Sequence, residues 1–454
     1  MENKWIILYE NKNKAVEYIK NTLSEYVDYD VEIYNKNKAE QYELNNCNII
    51  SVGTDKALDG YKTEVTKSPY NTDKQTISIK GKNDIFTLYG AIDFKNKYIP
   101  MCENADMHNP IYYFNKPFYD KMKETVIESK PSKNYRALWS WGYVIYNYKK
   151  YIDNMVELKL NMLIVWNDYP PENAKEFIEY AHENGIKIIW GFAWGWDTNC
   201  LDIDVSDLNK LSDSIIEKYE KEYAHLNPDG IYFQSFTETD KEYTGGKLIA
   251  EAVTELVNKT SDRLLKKYPD LLIQFGLHHT SVKNRLQFIK KVDPRVYILW
   301  EDCGAFPYHY IPKKIENFDE TKDITKKLLS LRENEKFGAV LKGHTCLDWS
   351  TFTHQSGSFK IGEKDEEFLK NKFREKEKIL RYIQSWWIVN ADKAYEMIRL
   401  MDENSIVAAL VEDGAFEEFI PYSVALFAEM LWDSTSDIKD IMSRVALSSN
   451  VKFI

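Results

Sequence analysis

Long apolar runs, paired cysteines and clusters of basic residues are all missing from this 454-residue chain, and each absence closes off a class of protein. No apolar stretch approaches the ~20 residues that a membrane-spanning helix needs, so no membrane partner is expected. The N-terminal MENKWIILYENKNK has a short apolar core flanked by acid and amide and no small-residue cleavage site; it reads as a first β-strand rather than an export signal. The five cysteines, Cys47, Cys102, Cys200, Cys303 and Cys346, are odd in number, scattered and without a CxxC spacing. That disfavours both a disulfide framework and a zinc site, and a cytoplasmic location is expected. With 60 Lys+Arg against 71 Asp+Glu the formal net charge is −11, which argues against nucleic acid, whose phosphates are held by clustered cations. There is no GxGxxG and no phosphate loop, so no nucleotide cofactor is expected.

Aromatic residues are what the chain has in abundance: 12 Trp and 31 Tyr. Otherwise 44% hydrophobic and 29% charged residues are the proportions of a packed globular protein, and the length exceeds what one core usually serves. Two domains are therefore expected. Residues 1–130 alternate β-like runs (Trp5–Tyr9, Asn48–Val52, Tyr61–Val65, Thr76–Lys80) with polar helices and an Ala/Leu/Tyr stretch from Phe86 to Lys95. They read as a small α+β accessory domain, and KPSKN in the 130s reads as a linker.

From Tyr135 the texture becomes a regular beat of apolar strand and amphipathic helix, the signature of βα units around a parallel sheet. The expected strands are Arg136–Trp141, Met162–Trp166, Lys187–Trp194, Gly230–Phe236, Leu272–Leu277, Val296–Trp300, Phe337–Gly343 and, after a helical region from Glu366 to Asp402, a last one near Ser423–Met430. Eight such units over 131–454 predict an α/β fold, a (β/α)8 TIM barrel.

Active sites of such barrels lie at the C-terminal ends of the strands. Around that rim the sequence offers Trp141, then Trp166 and Asp168, then Trp194 and Trp196, then Gln234 and Glu238. His278 and His279 follow strand five, Trp300, Glu301, Asp302 and Tyr308 strand six, His344, Asp348 and Trp349 strand seven, and Glu429 and Trp432 strand eight. Indole faces interleaved with carboxylates, amides and imidazoles suit a carbohydrate, whose C–H faces stack while its hydroxyls demand paired donors and acceptors. Large aromatics also fill barrel interiors, and Trp139 and Trp190, in the strand bodies, are expected to be core. Cleaving a glycosidic bond ordinarily takes two carboxyl groups. Glu238, after an apolar run with aromatic neighbours, suits the general acid. Glu301 or Asp302 supplies the second; side chains alternate along a strand, so only one of them faces the mouth, and Glu301 is favoured. Asp348 and Glu429 are reserves, better suited to binding sugar hydroxyls. No His-x-x-x-His or paired-Cys spacing is present, so no metal site is expected.

On these residues the chain resembles glycoside hydrolases of the family 20 type and their relatives, the hexosaminidases and α-glucuronidases. Tyr61-Lys-Thr-Glu-Val and Thr76-Ile-Ser-Ile-Lys-Gly resemble the paired strands of their accessory domain, and DIFTLYGAI from Asp84 to Ile92 is similar to the stretch that closes it. The resemblance implies an accessory domain ahead of a catalytic barrel, with the acid role on Glu238. Family 20 enzymes carry adjacent Asp-Glu at the end of strand four, and here Thr237 stands where that Asp would be. The α-glucuronidase arrangement, an acid from strand four and a base from Glu301, Asp302 or Asp348, tolerates this better than substrate-assisted N-acetylhexosaminidase chemistry. Two rivals from other classes are a non-catalytic sugar-binding barrel and a lyase or isomerase using Mg²⁺ held by Asp168, Glu238, Glu301 and Asp348.

Overall fold

The computed structural model describes residues 4–25, 27, 29–98, 122–167, 169–195, 205–234, 241–282, 284–301, 317–332, 336–344, 357–411 and 414–454, with backbone alone at 97, 98 and 280. The chain divides into two compact units, Met1–Pro131 with Ser443–Val451 and Ser132–Met442 with Lys452–Ile454.

The first unit is a six-stranded sheet of β1 (Trp5–Tyr9), β2 (Ile33–Asn35), β3 (Asn48–Thr54), β4 (Tyr61–Lys67), β5 (Gln75–Gly81) and β6 (Thr125–Ser129), in the order β2-β1-β3-β5-β4-β6. β2, β1, β3 and β5 run parallel, whereas β4 pairs antiparallel with β5 and β6. The alternation Tyr61, Thr63, Val65 on β4 and Ile77, Ile79 on β5 buries one face of each strand, as a half-covered sheet requires. Among the helices α1 (Lys14–Ser24), α2 (Gln41–Asn46) and α3 (Asp84–Tyr98), the third is the segment expected to close this unit. Asn13 caps α1 by accepting the Val16 N–H at 3.3 Å.

The second unit is a closed barrel of eight parallel strands: β7 (Tyr135–Trp141), β8 (Met162–Trp166), β9 (Lys187–Gly191), β10 (Gly230–Phe233), then, after a short hairpin of β11 (Tyr243–Thr244) and β12 (Lys247–Leu248), β13 (Leu272–Leu277), β14 (Tyr297–Trp300), β15 (Phe337–His344) and β16 (Ile406–Val411). Each pairs with its neighbour in sequence, and β16 closes onto β7 through Ile406↔Tyr135 to Leu410↔Trp139. Helices α4 (Tyr148–Glu157), α5 (Ala174–Glu183), α6 (Leu208–Lys218) and α7 (Ile249–Lys267), short α8 (His279–Val282) and α9 (Leu286–Ile289), and then α10 (Phe318–Leu329), α11 (Glu366–Val389) and α12 (Ala391–Leu400) connect them. Every second strand residue points inward: Ala137, Trp139, Met162, Ile164, Trp166, Ile189, Tyr232, Tyr297, Leu299, Val340, Ile406, Ala408 and Leu410 pack as one core. Trp139 belongs to it, and Trp190 is fully buried against Phe177 of α5 on the outer side, so both are core as expected.

The eighth strand is not where the sequence put it. Ser423–Met430 lies within α14 (Tyr422–Trp432), which follows the short α13 (Ala415–Glu418), and the strand is β16. A continuous apolar run fits a buried strand or a buried helix equally well; Ala, Leu, Met and Glu settle YSVALFAEMLW as helix, while IVAALV, β-branched at both ends, pairs as strand. Glu429 and Trp432 consequently leave the mouth. The Ser132 N–H donates to Trp432 O at 2.8 Å just ahead of β7, at the N-terminal end of the barrel. There the Lys159 ammonium lies 4.4 Å over the Trp432 ring and 3.7 Å from the Glu429 carboxylate, with Arg136 at 5.3 Å from the same ring. These contacts tie α14 to Arg136 of β7 and to Lys159 ahead of β8. Among the described residues no helix is long and apolar enough to cross a membrane.

Candidate active site

At the opposite end one buried carboxylate organises the mouth. Glu301 is the first residue after β14 and shares the inward parity of Tyr297 and Leu299; it is 4% exposed. Its N–H donates to Leu277 O at 3.0 Å, continuing the barrel ladder by one residue. The Gln234 amide nitrogen, just past β10, lies 2.8 Å from Oε1 and 2.9 Å from Oε2. The Tyr232 hydroxyl donates to Oε1, and His278 Nε2 stands 3.2 Å from Oε2. Three neighbouring strand ends thus converge on this group: the Tyr232 hydroxyl and the Gln234 amide donate to it, and a His278 ring nitrogen lies within hydrogen-bonding reach, an arrangement that orients a carboxylate. Gly276 on β13 makes room: a Cβ there would overlap both the Glu301 carboxylate and the Tyr232 hydroxyl.

An aromatic wall adjoins the cradle. Trp141 packs edge-on to Trp139 with ring centroids 4.3 Å apart, and Trp139 and Trp166 both meet Tyr232 edge-on at 5.8 and 5.7 Å. Trp141 pairs in register with Trp166 and is half-buried. Lys342, at an inward position of β15, completes the group, its Nζ 3.5 Å from His278 Nδ1. Of the expected residues, Glu301, Gln234, His278, Trp141 and Trp166 therefore come together. Tyr232 and Lys342 were missed, although a lysine inside the buried run FGAVLKGH is a signal that parity alone could have turned inward. Glu238, Asp302, Asp168, Trp196, Tyr308, Asp348 and Trp349 lie outside the described residues.

Four other expectations are corrected by strand parity and by a bulge. Trp300 has the outward parity; it is fully buried, and its Nε1–H donates to Thr325 Oγ1 of α10 at 3.1 Å. Trp194 is also fully buried, stacked on the outward Phe233 at 3.6 Å with an angle of 5° between the planes. His279 opens α8 and turns towards α10, its Nε2 3.8 Å from Glu320. His344 would point inward with Val340 and Lys342, but the register between β15 and β16 shifts between Leu341 and His344. The shift re-aims the ring onto Trp387 of α11, stacked at 4.1 Å, where neither ring nitrogen has a hydrogen-bond partner among the described residues.

Burial without a partner pushes His344 down from 6.5 to about 3. Between these values the unfolded chain binds the extra proton, so stability declines as pH falls below 6.5 by up to ~1.4 kcal/mol per pH unit, and is untouched by this group above it. His344→Phe, which keeps the stacking, is expected to lose less thermal stability between pH 7.5 and 5 than the parent; equal losses in the two melting curves would show that His344 is not the acid-sensitive group.

Among the described residues no group of three or more His, Cys, Asp or Glu is placed to hold a metal ion. No family model matches the chain, and no curated protein matches it. Solved structures do. The fold is similar to that of a mutant Streptomyces plicatus β-hexosaminidase in complex with its product GlcNAc, at TM-score 0.53 and 11% identity over 99% of this chain and 92% of that one. It is also similar to a family GH20 exo-β-N-acetylglucosaminidase from Vibrio harveyi in complex with N-acetylglucosamine (0.51, 12%, 98% and 73%). A family GH115 4-O-methyl-α-glucuronidase with specificity for decorated arabinogalactans matches as well (0.51, 12%, 98% and 59%). At these identities the likeness is one of fold.

Proposed function

We propose that this chain is a glycoside hydrolase, with Glu301 as one of its two working carboxylates and a carbohydrate as its substrate. The observation that carries the reading is the Glu301 cradle: an inward, buried carboxylate at the C-terminal mouth of a (β/α)8 barrel, held by Tyr232, Gln234 and His278 and flanked by the indoles of Trp139, Trp141 and Trp166. A group surrounded by donors suits the partner that attacks the anomeric carbon or takes a proton from water, rather than the one that gives a proton to the leaving oxygen. Glu238 is assigned the latter task on its sequence position after β10. The half-buried indole of Trp141 is of the type that stacks on a sugar ring. The barrel likeness to sugar-processing enzymes supports this reading, as does the aromatic content of the rim. Thr237, ahead of Glu238, favours a mechanism in which the enzyme's own carboxylates act over one assisted by a substrate N-acetyl group.

A screen against aryl glycosides of neutral hexoses, uronic acids and N-acetylhexosamines tests the proposal. Cleavage of one class is expected, and Glu238→Gln is expected to lower its kcat/KM by about a hundredfold. If no glycoside is cut while a sugar binds equally to parent and variant, the barrel is a binding module and the catalytic reading fails.

A further inference from the structure

Lys342 is a cation in the interior of a barrel strand, and nothing so far gives it a role. Its place is defined by β15: Val340 faces the core two residues earlier, and Lys342 follows with the same parity at the mouth. Its Nζ is 3.5 Å from His278 Nδ1, and the other nitrogen of that ring, Nε2, is 3.2 Å from the Glu301 carboxylate. The three groups form a line from ammonium through imidazole to carboxylate.

The chemistry of the two ends decides the state of the middle. An ammonium has three donors and no acceptor, so the ring nitrogen facing it must present a lone pair; a proton on Nδ1 would point at the cation. A carboxylate accepts only, so the nitrogen facing Glu301 is better off carrying the proton. Gln234 Nε2 also lies 3.1 Å from His278 Nε2, and this contact alone favours the opposite tautomer. The same amide has both Glu301 oxygens to donate to, at 2.8 and 2.9 Å, and needs no acceptor in the ring.

We infer that Lys342 is a positioning residue of this site, fixing His278 as the neutral imidazole with its proton on Nε2 so that the ring donates to Glu301. Lys342 acts through His278. Removing its charge takes away the contact that holds Nδ1 as an acceptor; with the proton on Nδ1 the Nε2 lone pair would face the carboxylate and Glu301 would lose one of the donors that orient it. The kinetic part of the inference rests on the glycosidase reading above; the tautomer itself does not.

The experiment is a long-range ¹H–¹⁵N correlation spectrum of full-length protein labelled at histidine nitrogen, with the His278 signals assigned by their loss in His278→Asn. The parent is expected to show the Nε2–H tautomer at His278, Lys342→Arg to retain it, and Lys342→Met to lose it to a mixed pattern. In an activity assay Lys342→Met is expected to lower kcat by ten- to a hundredfold, the scale of a displaced reacting group, with KM nearly unchanged and with recovery in Lys342→Arg. A parent in the Nδ1–H form, or a His278 pattern that is the same in Lys342→Met, overturns the inference. The spectrum needs no substrate, so this failure is distinguishable from that of the glycosidase reading, which would leave the tautomer result standing and abolish only the kinetic one.

Discussion

Glu301→Gln is expected to lower kcat/KM by about a thousandfold, against about a hundredfold for Glu238→Gln, both within the range seen for acid–base groups. The substitution is isosteric yet does two kinds of damage. It removes the negative charge, and it puts an NH2 group into a cradle where the Tyr232 hydroxyl and the Gln234 amide, the latter reaching both oxygens, present donors to the carboxylate. At least one donor pair then faces donor to donor in a buried setting, so the amide cannot hold the position the carboxylate held. Assay on the aryl glycoside selected by the screen, with melting temperature and circular dichroism to establish folding, checks this. Turnover within tenfold of the parent in a folded variant would remove Glu301 from the reaction and leave the cradle a structural feature. Glu301→Ala with added azide extends the test, since rescue that forms the glycosyl azide of inverted anomeric configuration identifies the lost group as the one on the far side of the sugar from the leaving oxygen, whereas an azide of retained configuration would point to loss of the acid.

The second large effect is expected from a residue with no side chain. Gly276→Ala introduces a methyl group into space already filled by the Glu301 carboxylate and the Tyr232 hydroxyl, both of them buried and hydrogen-bonded to each other. One of the two must move. Displacing a reacting group by about an ångström costs about a hundredfold in rate, and overpacking an ordered interior costs about 1–3 kcal/mol in stability. Gly276→Ala is therefore expected to lose activity by that factor while remaining folded with a lowered melting temperature. Pairing it with Tyr232→Phe, which removes the hydroxyl from the point of overlap, is expected to recover part of the stability; if the double variant is no more stable than the single one, the overlap with Tyr232 is not the cause.

How far the site could be read in advance depends on residue pairs rather than on motifs. In Leu299-Trp300-Glu301 the alternation of side chains says that Trp300 and Glu301 face opposite ways, so they could never both have lined the mouth. Strand β14 is apolar on both faces, as parallel strands between a core and a helical layer are, and the pattern does not say which face is the inner one. The Thr325 partner of Trp300, supplied by α10, made that decision. His344 shows a different limit: its parity was right, and the register shift at the end of β15 overrode it.

What the sequence by itself determined was the beat of strand and helix, hence the eight-stranded barrel, and the chemical vocabulary of its rim, because spacing and residue type are local properties that hydrophobic periodicity records. Glu301, Gln234, His278, Trp141 and Trp166 were legible on those grounds. Only the tertiary structure decided that β16 and not α14 closes the barrel, that Glu429 and Trp432 lie at the far end, that Trp194 and Trp300 face outward, and that Tyr232, Lys342 and Gly276 belong to the Glu301 cradle. Each of these depends on which strand neighbours which and on which way a doubly buried strand is turned, and closure of the barrel sets both through contacts between residues far apart in the chain.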